Sequence, residues 1–285
     1  MTRRRSFTVA MLAMGLVAFA GDAARAQAPS RGECGPYVDA AAGGNAKAPA
    51  VIPDRLLLGP ATAIPCLLSV IRGVSGEIAE ARRISDSVFP RVLSATAALR
   101  TMMARATPSA DQTSAASFGL NEFIRAFREA DDLAVISVLA YGARSDSYDL
   151  RINAVLILGN VIDNTTVCVP LVHLNDPSLM ESPNGANGRA NLLGVVSVVA
   201  PWALRENFEA ITRTVATIRS GVGDDSQLAN TRNLLANIET RLGSQTETSN
   251  KGAWMDRDAR EKCARYAAEF RPAVANPDNV RYAPH

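Results

Sequence analysis

The chain has 285 residues, 47% of them hydrophobic, with 30 basic against 28 acidic side chains and a formal net charge of +2. Residues 1–26 hold four of the arginines and one aspartate, so the remainder carries 26 basic against 27 acidic groups and a net charge of −1. That near-neutrality excludes the basic footprint of a nucleic-acid binder, so no nucleic-acid partner is expected.

Arg3, Arg4 and Arg5 open the chain and are followed by an uncharged, mostly apolar run from Val9 to Ala20. The run is shorter than the roughly 20 apolar residues a membrane-spanning helix needs. Small residues then surround Ala24-Arg25-Ala26, which places a cut between Ala26 and Gln27. Charge, apolar core and small-residue site in this order form a secretory signal, which predicts export to the periplasm or beyond. Arg4-Arg5-Ser6-Phe7 also fits a twin-arginine signal, so the general and twin-arginine routes are both open. After the signal no membrane span is expected: the longest apolar run, Leu192 to Leu204, is interrupted by Gly194 and Pro201 and reads as a buried helix and a turn.

Residues 27–55 are rich in Ala, Gly and Pro with little periodic pattern, and they read as an extended lead-in. From there to residue 271 apolar residues recur at spacings of three and four, which predicts helices. Val92, Ala95, Leu99 and Met102 mark one helix, with Pro90 tolerated near its start. Leu120, Phe123, Phe127 and Ala130 mark a second; Leu204, Phe208, Ile211, Val215 and Ile218 a third; Leu228, Leu235, Ile238 and Leu242 a fourth. Alternating strand-like stretches are absent, so the expected class is all-α, as a helical-repeat array or a helical bundle. Two polar connections, Asn175 to Gly188 and Gly243 to Asp256, and a flexible tail over 272–285 complete the layout.

Four cysteines follow the signal: Cys34, Cys66, Cys168 and Cys263. An exported chain favours disulfides, and four cysteines allow three connectivities. Cys66 and Cys263 fall on apolar helical faces, so buried thiols are the competing reading. Joining Cys34 to Cys66 would tie the N-terminal segment to the first helix.

The stretch Asp149-Leu150-Arg151-Ile152-Asn153-Ala154-Val155-Leu156-Ile157-Leu158-Gly159-Asn160-Val161 resembles the second helix of a HEAT repeat. With the apolar segment Leu133 to Tyr141 before it, it forms a helix pair over 133–162, similar to HEAT and armadillo units. Ala154 and Gly159 would let neighbouring helices approach, while Leu150, Leu158 and Val161 fill the shared core. Echoes of Arg151–Val155 at Arg189–Leu193, and of Asn191–Gly194 at Asn233–Ala236, extend the resemblance over 131–242. It implies an extended binding surface for a protein or peptide.

Chemistry-bearing patterns are sparse. His285 ends the chain, and His173 follows an apolar segment before Asn175-Asp176. His173 is the one candidate general base, set against a helix-terminal histidine bonded to the last carbonyls. Asp131-Asp132 and Asp224-Asp225 precede helices and read as caps rather than catalytic pairs. Asn164-Thr165-Thr166 also reads as a cap, and Gly185-Ala186-Asn187-Gly188 as a turn. Neither a metal site nor a cofactor motif is expected. The connection bearing Leu179, Met180 and Glu181 is a candidate contact loop for an envelope protein or peptide. The sequence therefore points to an exported binding or scaffold protein, with an enzyme using His173 as the alternative.

Overall fold

The computed structural model describes residues 31–45, 50–106, 119–130, 132–180, 184–222, 228–245 and 252–270. Every regular element among them is helical, so the all-α class holds. The Ala26/Gln27 junction, Asp131, Glu181, Asp224-Asp225 and the tail lie outside the described residues.

The helices are α1 (Arg31–Ala42), α2 (Pro60–Arg72), α3 (Ser75–Ala81), α4 (Phe89–Ala106), α5 (Leu120–Glu129) and α6 (Leu133–Ala143), followed by α7 (Tyr148–Val161), α8 (Cys168–Leu174), α9 (Gly185–Val199), α10 (Arg205–Gly221), α11 (Ala229–Gly243) and α12 (Arg257–Phe270). Their packing falls into two rows. Helix α6 lies against α7, α8 against α9, and α10 against α11. Along one row α6 meets α8 and α8 meets α10; along the other α7 meets α9 and α9 meets α11. Helices α2 and α4 extend both rows by one pair, α2 touching α6 and α4 touching α7. Helix α1 covers α2 and α4, while α3 and α12 lie on the first row against α6 and α8.

The apolar stripes read from the sequence supply this core. Val92, Ala95, Leu99 and Met102 are buried on α4, as are Phe123 and Phe127 on α5 and Ile211, Val215 and Ile218 on α10. Each large side chain so buried contributes roughly 1.5–3 kcal/mol before entropic costs. The span Pro60–Ala81 is long and apolar enough, by composition, to cross a bilayer. It is two helices, however, and Ile64, Leu67, Leu68 and Ile71 on α2 are fully buried in the core.

Several expectations change. The lead-in is not extended: Arg31–Ala42 is helical despite Pro36, with Cys34, Tyr37 and Ala41 buried at helical spacing. A Cys34–Cys66 disulfide anchors it, and the Tyr37 hydroxyl donates to the Leu56 carbonyl over 2.7 Å. Gly159 has no neighbour near its missing side chain; the close approach is at Gly142, where an added Cβ would lie 3.0 Å from the Ala154 Cβ. The connection after Asn175 is shorter than read. It holds a 3-10 turn over Pro177–Met180, and Gly185-Ala186-Asn187-Gly188 is the first turn of α9. A Cβ on Gly188 would lie 2.9 Å from that of Arg144, so only glycine fits. Asn164 is a bridge rather than a cap: it accepts from Leu204 N at 2.8 Å and donates to the Trp202 carbonyl, while Asp163 takes the amides of Thr165 and Thr166. Asp132 does cap α6, accepting from Ala134 N and Val135 N.

Candidate functional site

Helix α6 is almost wholly apolar, with Val135, Ile136, Val138, Leu139, Ala140, Tyr141 and Ala143 buried. Ser137 is the polar interruption. Its hydroxyl meets two side chains distant in sequence, His173 on α8 and Tyr266 on α12. The Tyr266 oxygen lies 2.8 Å from Ser137 Oγ, and His173 Nε2 lies 3.1 Å from the Tyr266 oxygen and 3.5 Å from Ser137 Oγ. The second disulfide, Cys168–Cys263, joins α8 to α12 one turn before Tyr266 and so fastens the two helices that bring these groups together. All four cysteines are therefore paired, which removes the buried-thiol reading.

The distances fit two senses of donation: Tyr266 to Ser137 with His173 Nε2–H given to the Tyr266 oxygen, or Ser137 to Tyr266 with the phenol given to a bare Nε2. In either sense Nδ1 has no partner among the described residues. The imidazole is fully buried, between the edge of Tyr141 and the ring of Phe270, each with its centroid 4.5 Å away. Burial, with a smaller contribution from the Arg144 charge, holds its pKa well below the usual 6.5, so the ring is neutral. Burial also raises the pKa of Tyr266, against the lowering effect of its bond to Ser137, and pushes that of Tyr141 up to about 12.

Above this network lies a groove of about 430 Å³, walled by α3, α6 and α12. Ser75, Gly76 and Ala79 form a small-residue wall; Ser137, Tyr141, Tyr266 and Phe270 form a mainly aromatic side that carries three hydroxyls; Lys262, Arg265 and Glu269 supply charge from α12. Asp132 also borders the groove, but its carboxylate is occupied by the α6 cap and an ion pair with Arg72. A second depression of about 290 Å³ lies over α7 and α9. There Arg151 is bonded to the carbonyls of Ser145 and Asp146, and Asn191 to that of Ala143, so those polar groups already serve the scaffold.

His173 is thus placed differently from the helix-end reading: its ring bonds to Tyr266 rather than to a carbonyl. Leu179 of the expected contact loop is 1% exposed and belongs to the core, leaving Met180, at 40%, as the exposed member among the described residues. Neither lies in the groove. No group of three or more metal-ligating side chains occurs among the described residues. Ser137 and Tyr266 were missed from sequence. Ser137 had a signal as the one small polar side chain in an apolar helix, and Tyr266 was visible only as a member of a core-like face with Cys263 and Phe270. No family model, curated protein or solved structure matches the chain.

Proposed function

We propose that this chain is an exported, HEAT-like helical protein whose work is binding a small ligand or peptide segment in the groove between α3, α6 and α12. The carrying observation is that groove: about 430 Å³, with aromatic side chains, a few hydroxyls and charged side chains from α12. This is the composition of a recognition pocket, apolar with a few placed polar groups. The ladder of helix pairs supports the repeat reading, because each pair touches the next in both rows. Two disulfides support export, since such bonds persist in oxidising compartments.

Binding is favoured over catalysis because His173 is fully buried and no carboxylate among the described residues meets Nδ1 to orient the ring as a base. The alternative enzyme built on His173 would need Nε2 to take a proton from Ser137, whose Oγ lies 3.5 Å away.

The test fills the groove. A Cβ on Gly76 meets nothing within 4 Å, so Gly76→Trp places an indole in the groove without a backbone clash. In a thermal-shift screen of small molecules and peptides, some ligand class should raise the Tm of the wild type and leave Gly76→Trp unmoved. Shifts that persist in the filled variant, or a screen without any shift, would sink the reading.

A further inference from the structure

We infer that His173 is an acid-operated latch on the groove: on taking up a proton its ring lets go of the end of α12, and the wall formed by Tyr266 and Phe270 swings open. The latch rests on the reading of the groove as the binding site, since it is that site whose shape it sets. Three features of the packing carry it.

The first is how α12 is held. The helix packs chiefly on α8, and its buried side chains are Cys263 and Ala267. Cys263 is tied to Cys168, which retains the middle of the helix whatever happens beyond it. The last two turns rest instead on His173. Its Nε2 lies 3.1 Å from the Tyr266 oxygen, and its ring centroid lies 4.5 Å from that of Phe270. Tyr266 and Phe270 both line the groove, so the surface that holds them also sets its width.

The second is that nothing answers a charge on this ring. In either sense of donation an imidazolium carries a hydrogen on Nδ1, and that nitrogen has no partner among the described residues. From α6 the ring meets Ser137, Tyr141 and the nearby Arg144, whose charge repels a proton. Asp176, just past its own helix, is taken up by Arg144 and by the amide and hydroxyl of Ser178. From α12 it meets Tyr266 and Phe270, and Lys262, Arg265 and Glu269 of that helix make no bond to it. On α9 and α10, the other helices packed on α8, no charge joins Arg144 in acting on it. A buried charge so placed is relieved only by reaching water.

The third is that the neighbouring phenols hold their state. Burial pushes the pKa of Tyr141 up to about 12 and raises that of Tyr266 as well, so neither changes charge on acidification. The packed ring resists protonation, while a ring released into water takes a proton near the ordinary imidazole value of about 6.5. Below that pH each unit favours the released form by up to about tenfold.

Backbone hydrogen exchange on the full, disulfide-intact chain tests the latch without any ligand. From pH 7 to pH 5, after correction for intrinsic rates, amides of residues 264–270 should lose protection by about tenfold to thirtyfold. Those of α6 and α9 should hold theirs. His173→Phe and His173→Gln, neither of which can take the proton, should show no such change in 264–270. Equal protection at both pH values in the wild type would overturn the latch, as would the same acid loss in both variants. A loss shared equally by α6 and α9 would also overturn it, because acid would then be loosening the whole fold. A latch that fails this test leaves the groove reading intact, and a groove that binds nothing in the thermal-shift screen leaves the exchange result standing as a property of α12 alone.

Discussion

Two polar clusters sit beside Tyr141, both drawing on the α6 and α8 segments and one also on α12, and they differ in how completely they are satisfied. On one side Arg144, just past α6, pairs with Asp176, just past α8, over 2.6 Å, with side-chain exposures of 8% and 5%. Ser178 accepts from Arg144 at 3.0 Å and donates to Asp176 at 2.8 Å, and the guanidinium lies 5.6 Å from the Tyr141 ring centroid. On the other side Ser137, His173 and Tyr266 form a chain of hydrogen bonds in which His173 Nδ1 is buried without a partner among the described residues. The first cluster is closed and has the character of a structural clamp. The second is open onto a groove. Burial of a polar group without a partner is costly, so the open cluster contributes less to stability than the closed one.

The largest expected effect comes from freeing the helix that completes the open cluster. The Cys34–Cys66 and Cys168–Cys263 pairs close separate loops, with sequence separations of 32 and 95. Chain-entropy reasoning assigns them about 3.7 and about 4.7 kcal/mol respectively. Replacing Cys168 and Cys263 together by alanine should therefore cost the more of the two in urea unfolding. It should also abolish ligand-induced thermal shifts, because α12 packs chiefly on α8 and carries one groove wall. The Cys34 and Cys66 double variant should lose stability yet keep the shifts of its folded fraction. Equal loss of ligand response in both would erase the distinction between the two ends of the molecule.

Breaking the closed cluster comes next. Asp176→Ala leaves Arg144 buried without its carboxylate, a change that costs about 3 kcal/mol, the low end for a buried pair because Ser178 still accepts from the guanidinium. Denaturant midpoints measure it. Since Arg144 and Asp176 do not line the groove, ligand affinity per folded molecule should be unchanged. An affinity loss exceeding the stability loss would mean that the clusters act as one network.

How far the sequence disclosed these features depends on the range of the interactions. Amphipathic helices such as α10 were legible, because Ile211, Val215 and Ile218 mark a buried stripe against polar neighbours. Helix α6 is apolar on all sides, so periodicity gave no face and hid the role of Ser137. Helix α1 was overlooked because Pro36 and the surrounding Gly and Ala mask a stripe of Cys34, Tyr37 and Ala41, whose stability comes from tertiary packing and a disulfide. The site itself joins residues 93 and 129 positions apart. No local pattern encodes such a juxtaposition; it arises when α12 folds back on the first row. Leu179 misled for the opposite reason: flanking polar residues suggested a surface loop, while a 3-10 turn directs it into the core.

The smallest effect is a slope, and it probes whether the open cluster is as incompletely satisfied as its geometry indicates. His173 has a pKa below 6.5 in the folded chain and an ordinary value near 6.5 when unfolded. Between those values the unfolded state binds a proton that the native state does not. Stability from the neutral ring is therefore fully present above about pH 6.5 and declines as pH falls toward the depressed folded value. The slope approaches about 1.4 kcal/mol per pH unit for one proton. Urea unfolding from pH 7 to pH 5, wild type against His173→Phe, isolates this contribution, because carboxylate effects and the tail histidine, His285, are common to both. The wild type should lose stability more steeply on acidification, and the phenylalanine variant should lack that component. Parallel curves would mean that the ring accepts a proton at little cost, and the contrast with the closed cluster at Arg144 and Asp176 would then rest on exposure to the groove rather than on an unmet hydrogen bond.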